Sequence, residues 1–165
     1  MSKPAREERV VVSTFVEVSP GDAFELFTRE IDLWWKRSPR YRRMPGQAGT
    51  LSFVGEPPLQ LIEKDGAGTV VLGKVLAWEA GKRVAFEWHG GELTEADQTH
   101  VEVRFDAQRG GTRVTLEHRG LGSLPSQHAA RHGFSGEAFE AMLGYFWADL
   151  LTAYRMHAPR RIPKG

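Results

Sequence analysis

The sequence predicts an α+β domain: a curved antiparallel sheet of about six or seven strands wrapped around one long C-terminal helix, with two short helices after the first strand. Three observations carry this. Between Gly136 and His157, the side chains Phe139, Met142, Leu143, Phe146, Trp147, Leu150, Ala153 and Tyr154 fall within roughly 140° of a helical wheel, the breadth of a buried stripe. From Gly49 to Arg119 the pattern changes to short strand-like runs parted by Gly, Pro and charged turn residues. Helical segments flank this block rather than interrupt it, which marks α+β rather than α/β.

The elements follow in order. Arg9 to Val18 alternates as a strand. Ser19-Pro20-Gly21-Asp22 opens a helix, with Ser19 as cap, Pro20 in the first turn and Asp22 at the positive end of the helix dipole. Asp32-Leu33-Trp34-Trp35 suggests a second short helix. The predicted strands are then Thr50 to Val54, Leu59 to Glu63, Thr69 to Trp78, Arg83 to His89, Thr99 to Ala107 and Thr112 to Arg119. Short loops such as Glu79 to Lys82 and Gln108 to Gly111 join antiparallel neighbours. In the last pair, Val101, Val103 and Phe105 share a face with Val114, Leu116 and His118, and this apolar face must meet the long helix. The other face, Glu102, Arg104 and Asp106 against Arg113, Thr115 and Glu117, is solvated and laced with charge pairs. Gly120 to Gly133 is read as a loop. Pro159 and Pro163 are expected to end the helix near His157.

A chain of 165 residues suits one domain, here drawn as 9–157 between a flexible N-terminus, 1–8, and a flexible tail, 158–165. With 22 basic and 21 acidic residues the formal charge is +1, so bulk charge points to neither nucleic acid nor membrane. No cysteine is present, which excludes disulfide and thiol chemistry. The start MSKPAREE lacks a signal-peptide core, and no apolar run approaches ~18 residues. A cytoplasmic protein is the expectation.

The stretches GKVLAWEAGKRVAFEW (73–88) and GGTRVTLEHRG (110–120), with the closing aromatic helix, resemble the START-like SRPBCC superfamily. Within it, VEVSPGDAFELFT (16–28) and Trp34-Trp35 resemble the branch of the activator of heat-shock-protein-90 ATPase homologues. In place of the Gly-Trp pair that often opens the last helix in that branch, this sequence has Gly133-Phe134 and Gly144-Tyr145-Phe146-Trp147. The resemblance spans roughly residues 9 to 157 and implies a helix-grip fold with a cavity between sheet and helix. It implies binding of lipids, sterols, hormones or polyketides, sometimes with cyclisation or dehydration. It also implies, as an alternative, a module acting on a chaperone ATPase.

The candidate ligand-binding residues are Trp34, Trp88, Phe105, Leu116, His118, Phe139, Leu143, Phe146 and Trp147. Parity turns His118 toward the apolar face, where desolvation favours its neutral form. It would orient a polar group of a ligand, or act as a general base in an enzyme; the competing reading is a strand-end histidine satisfied by backbone or water. The tryptophans offer large apolar area with one N–H each, against the competing reading of core packing. His128 and His132 in HAARH have the spacing of a helical metal pair, but a third ligand is missing, so no metal is expected. They and Arg131 are placed at a pocket mouth. The basic run Lys36 to Arg43, with Tyr41 inside it, reads as a solvated loop or a contact for an anionic partner. Glu63, Asp65, Glu92, Glu95 and Asp97 are placed in or beside loops without a visible pairing. No phosphate-binding loop, dinucleotide fingerprint or nucleophile elbow occurs, so no cofactor is expected. Binding of a small apolar molecule is favoured over enzymatic activity.

Overall fold

In the computed structural model, residues 8–37, 41, 49–89, 93, 94 and 96–161 are described, the side chains of 160 and 161 excepted. Most of the basic run and Glu92 and Glu95 therefore lie outside the described residues.

Strand β1, Val10–Val16, leads into α1, Pro20–Thr28, and the short α2, Ile31–Trp34. Six strands follow: β2 Thr50–Val54, β3 Gln60–Lys64, β4 Thr69–Glu79, β5 Arg83–Glu87, β6 His100–Gln108 and β7 Gly111–Arg119. Two 3₁₀ turns, Leu121–Ser123 and Ala129–Arg131, break up the expected loop before α3, Gly136–Arg161. All seven strands form one antiparallel sheet in the order β1-β7-β6-β5-β4-β3-β2. Meander connections make every neighbour pair except β1–β7, which joins the two ends of the strand sequence.

The sheet bends for local reasons. Register shifts occur in the β3–β4 pair at Leu61/Ile62 and in β4–β5 between Val75 and Ala77, and such bulges increase twist and curvature. Gly73 sits at this bend: a Cβ there would lie 1.6 Å from the Glu87 carbonyl oxygen, so any side chain would force the strands apart.

At the start of α1, Ser19 caps as expected, its Oγ accepting the Asp22 N–H at 3.2 Å. The buried side, Ala23, Phe24, Leu26 and Phe27, packs on β6 and α3. Helix α3 crosses the inward face with Phe139, Trp147, Leu150, Leu151 and Tyr154 buried. It runs past His157 to Arg161, so Pro159 lies inside it rather than beyond its end. In a last turn the proline forfeits one backbone bond, and buried Ala158 keeps that turn packed against the core.

The parity reading of β6 and β7 corresponds to the observed burial: Val101, Val103, Phe105, Val114, Leu116 and His118 are all buried. The outer face departs in two respects: Glu117 is buried rather than solvated, and its cross-strand neighbour carries the same charge. Glu102 and Glu117 stand directly opposite one another, and like charges so placed repel. Arg83 and Arg104 bond Glu102, while Arg119 and Arg9 serve Glu117. The Arg119 bond holds the Glu117 carboxyl below its usual range, against the upward push of burial. No helix among the described residues is long and apolar enough to cross a membrane.

Candidate functional site

The inward face of the sheet places His118 in a row with Val101 of β6 and Phe86 of β5. Trp88 lies just past the end of β5, on the same inward parity as Phe86, and is buried. Above them, α3 supplies Trp147. Trp35, the C-cap residue of α2, enters from the side in extended conformation. Three indoles thus meet. Trp35 lies 5.4 Å from Trp88 and 5.9 Å from Trp147, and Trp88 lies 5.3 Å from Trp147, ring centroid to ring centroid. Phe146 adds an edge contact to Trp147 at 5.0 Å and stacks on Tyr41 at 5.1 Å.

Tyr41 holds this corner closed from the loop side. Its hydroxyl donates to Asp149 at 2.7 Å, its carbonyl accepts the Trp35 indole N–H at 2.7 Å, and Lys36 lies over its ring. Met142, Leu143 and Phe146 pack on the core yet remain only partly buried. Together with Trp147 they occupy successive positions on one side of α3, so this stretch of the helix is less completely covered than the stretch from Leu150 to Tyr154.

His118 is the chemically distinctive member. It is fully buried, and its Nδ1 accepts the Trp147 indole N–H at 3.1 Å, with the two rings edge to face. Burial pushes its pKa down to about 3, with a smaller contribution in the same direction from His100. The ring is therefore neutral at physiological pH. Indole nitrogen only donates, so Nδ1 must be the bare acceptor and the single ring proton sits on Nε2. No acceptor among the described residues meets that N–H. A buried donor left without a partner costs about 1–3 kcal/mol.

The candidate residues divide by location. Trp88, His118, Phe146 and Trp147 come together, with Leu143 one turn before Trp147 on α3. Leu116 is buried in the next row of the sheet, opposite Val103. Phe105 lies further along the interior against Phe24 and Phe27, and Trp34 bridges the two groups, packing on Phe27 and Tyr154 and, at 5.5 Å, on Trp35. Phe139 is sealed beneath the Arg131 guanidinium, 4.6 Å from its ring.

Arg131 is not at a pocket mouth but buried. It donates to both Glu8 oxygens, at 2.7 and 3.0 Å, and to the carbonyls of Leu121, Leu124 and Pro125. Glu8 also accepts the Gly136 N–H at 2.9 Å, so this clamp ties the chain before β1 to the start of α3. His128 and His132 do not share a helix face. His128 caps the second 3₁₀ turn through Nδ1 and bonds Asp97 through Nε2 at 3.0 Å, whereas His132 ends that turn at φ 48° and is exposed. No cluster of three or more His, Cys, Asp or Glu suited to a metal occurs among the described residues. Burial pushes the Asp97 carboxyl up, but the Thr94 N–H and His128 outweigh it and hold the carboxyl below its usual range.

Sequence reasoning missed two contributors and the pairing of a third residue, Glu63. Trp35 counts only as one of five tryptophans able to line a pocket, whereas its neighbour Trp34 is a named candidate; the change from helical to extended backbone at Trp35 is what brings its ring to Trp88 and Trp147. Tyr41 stood in a basic run, where charge masked its ring. Glu63 is neither in a loop nor without a pairing: it is fully buried on β3 opposite Leu51, its Oε2 accepting the Gly49 N–H at 3.0 Å. The alternation Leu61, Glu63 across from Phe53, Leu51 was the available signal.

Comparison with known proteins agrees with this architecture. The chain is similar to CalC, a self-sacrificing resistance protein from Micromonospora echinospora, at 18% identity and a TM-score of 0.64, covering 96% of this chain and 99% of that one. It is similar to protein MLL2253 from Mesorhizobium loti (17% identity, TM-score 0.59, 94% and 100% covered). It is also similar to an AHSA1-like protein from Aeromonas hydrophila (14% identity, TM-score 0.57, 96% and 99% covered). At such identities these likenesses concern the fold. No curated protein matches the sequence. Residues 17–146 match the family described as activator of Hsp90 ATPase homolog 1-like protein, a span from the end of β1 to the middle of α3, and the chain belongs to that family.

Proposed function

We propose that this protein binds a small apolar molecule, aromatic or polyketide-like, between the sheet and α3 at the end framed by Trp35, Trp88, Trp147 and His118. The observation that carries this reading is a fully buried imidazole in a wall of tryptophans, next to helix side chains that remain only partly covered. Apolar walls with one or two placed polar groups are the usual make-up of small-molecule sites.

The arrangement favours binding over catalysis. A general base needs a free lone pair, and the one lone pair of neutral His118 is engaged by the Trp147 N–H. What remains is a donor that orients. Cytoplasmic placement, expected from the sequence, belongs to the same reading.

Tryptophan fluorescence and thermal denaturation against a panel of apolar aromatic compounds test it. A saturable quench with a raised melting temperature is expected, because ligand at 100 times its Kd adds about 2.7 kcal/mol to the native state. A folded protein that responds to no compound overturns it. Membership of the activator family supports a second reading, a module acting on a chaperone ATPase. Stimulation of a purified chaperone's ATPase by this protein, with no response to the compounds, would favour that one.

A further inference from the structure

Resting on the small-molecule reading above, we infer that the ligand is an apolar ring compound carrying a neutral hydrogen-bond acceptor, a ketone or quinone carbonyl, which takes the N–H on Nε2 of His118, while Trp147 acts as the positioning residue that fixes this tautomer. The argument is one of elimination at named atoms. The Trp147 Nε1–H donates to His118 Nδ1 at 3.1 Å, and indole nitrogen has no acceptor role. The proton of the neutral ring is thereby placed on Nε2. That nitrogen is buried and has no partner among the described residues. A complementary ligand therefore accepts; one that only donates would face an N–H with an N–H or O–H.

The acceptor is neutral for a separate reason. His118 sits between Val10 and Val101 in the sheet and edge-on to Trp147, whose other ring neighbours are Trp35, Trp88 and Phe146, and none of these offers a charge any solvation. A carboxylate or phosphate placed there would leave its water shell without a cation from these side chains in return. A carbonyl oxygen loses less and matches the single donor. The partly buried Met142, Leu143 and Phe146 suit the hydrocarbon body of such a molecule.

The test uses ketone and methylene pairs of the same shape: benzophenone with diphenylmethane, fluorenone with fluorene, xanthone with xanthene. Dissociation constants are read by tryptophan quenching on the full chain. Two-dimensional ¹H–¹⁵N spectra of the imidazole nitrogens report the His118 tautomer in parallel. The expected result is a proton on Nε2 and, for at least one pair, a ketone bound about tenfold more tightly than its methylene twin, the value of one net hydrogen bond. His118→Phe keeps a ring but no donor, and should remove the preference while still binding the methylene compound. Should that variant fail to fold, Trp147→Phe serves. It frees Nδ1, so the spectra should show a mixture of tautomers and the preference should narrow.

Equal affinity within every pair overturns the acceptor inference and leaves the small-molecule reading standing. No binding by any compound overturns the small-molecule reading and the inference with it. A proton found on Nδ1 in the native protein overturns the inference whatever the affinities are.

Discussion

The two ends of the interior are built from the same kind of residue and finished differently. Around Phe24, Phe27, Trp34, Phe105 and Tyr154 every polar handle is tied: the Tyr154 hydroxyl donates to the Ala23 carbonyl at 2.7 Å and the Trp34 indole donates to the Leu26 carbonyl at 3.0 Å. Burial pushes the Tyr154 pKa upward, which keeps the hydroxyl a donor. Around Trp35, Trp88, Trp147 and His118 the rings pack as closely, yet one donor is left over and the adjoining face of α3 is partly uncovered. Aromatic content alone does not separate the tied end from the end proposed to bind a ligand. The accounting of polar atoms does.

That contrast can be broken by substitution. Phe27→Ala in the closed end should cost about 3–5 kcal/mol, read by chemical denaturation, because large-to-small changes in a packed core leave a cavity as well as losing transfer energy. A loss below about 1 kcal/mol would mean that this end is not close-packed. Ligand affinity of the folded fraction should be unaffected.

Acid should sharpen the difference through His118. Its folded-state pKa of about 3 lies below the ordinary value of 6.5. Between these pH values the unfolded chain takes a proton that the native ring refuses, so stability falls as pH drops from 6.5 toward 3 and is independent of this group above 6.5. The slope is about 1.4 kcal/mol per pH unit. Other groups titrate in the same range, so the informative quantity is the difference from His118→Phe, whose profile should be flatter by that slope. Parallel profiles would place His118 in contact with water.

The smallest stability effect should come from Leu143→Ala. Half-covered side chains contribute less than buried ones, so a loss under about 1 kcal/mol is expected. The same change should weaken ketone binding several-fold. A large loss of stability with unchanged affinity would assign Leu143 to the core.

Much of the fold was legible because it rests on period. The alternation of Val101, Val103 and Phe105 against Val114, Leu116 and His118, and the stripe from Phe139 to Tyr154, are properties of neighbours along the chain. The site was only partly legible because its defining contacts span long separations. Trp147 reaches His118 across 29 positions and Tyr41 reaches Asp149 across 108, and no local pattern encodes either. Trp34 and Trp35 touch at 5.5 Å yet have different further neighbours, Phe27 and Tyr154 for one and Trp88 and Trp147 for the other, and no periodicity assigns them. The end of α3 was misjudged because proline was weighed as a stop signal, without the packing of Ala158 that carries the helix onward.

The pairing of β1 with β7 sets a schedule for the chain. Val10 to Val16 is synthesised well before its partners in the sheet, Thr112 to His118. While the ribosome makes the intervening strands, the segment VVVSTFV has no sheet neighbour, and an apolar β-prone stretch in that condition is open to pairing with other nascent chains. Its flanks answer this: Arg9 and Glu17 bracket the run with opposite charges, in the manner of gatekeepers. Closing so distant a pair is also slow, since the loop must be drawn together before the contacts reward it. The same β1–β7 seam that completes the sheet is therefore where the growing chain waits longest for its partner.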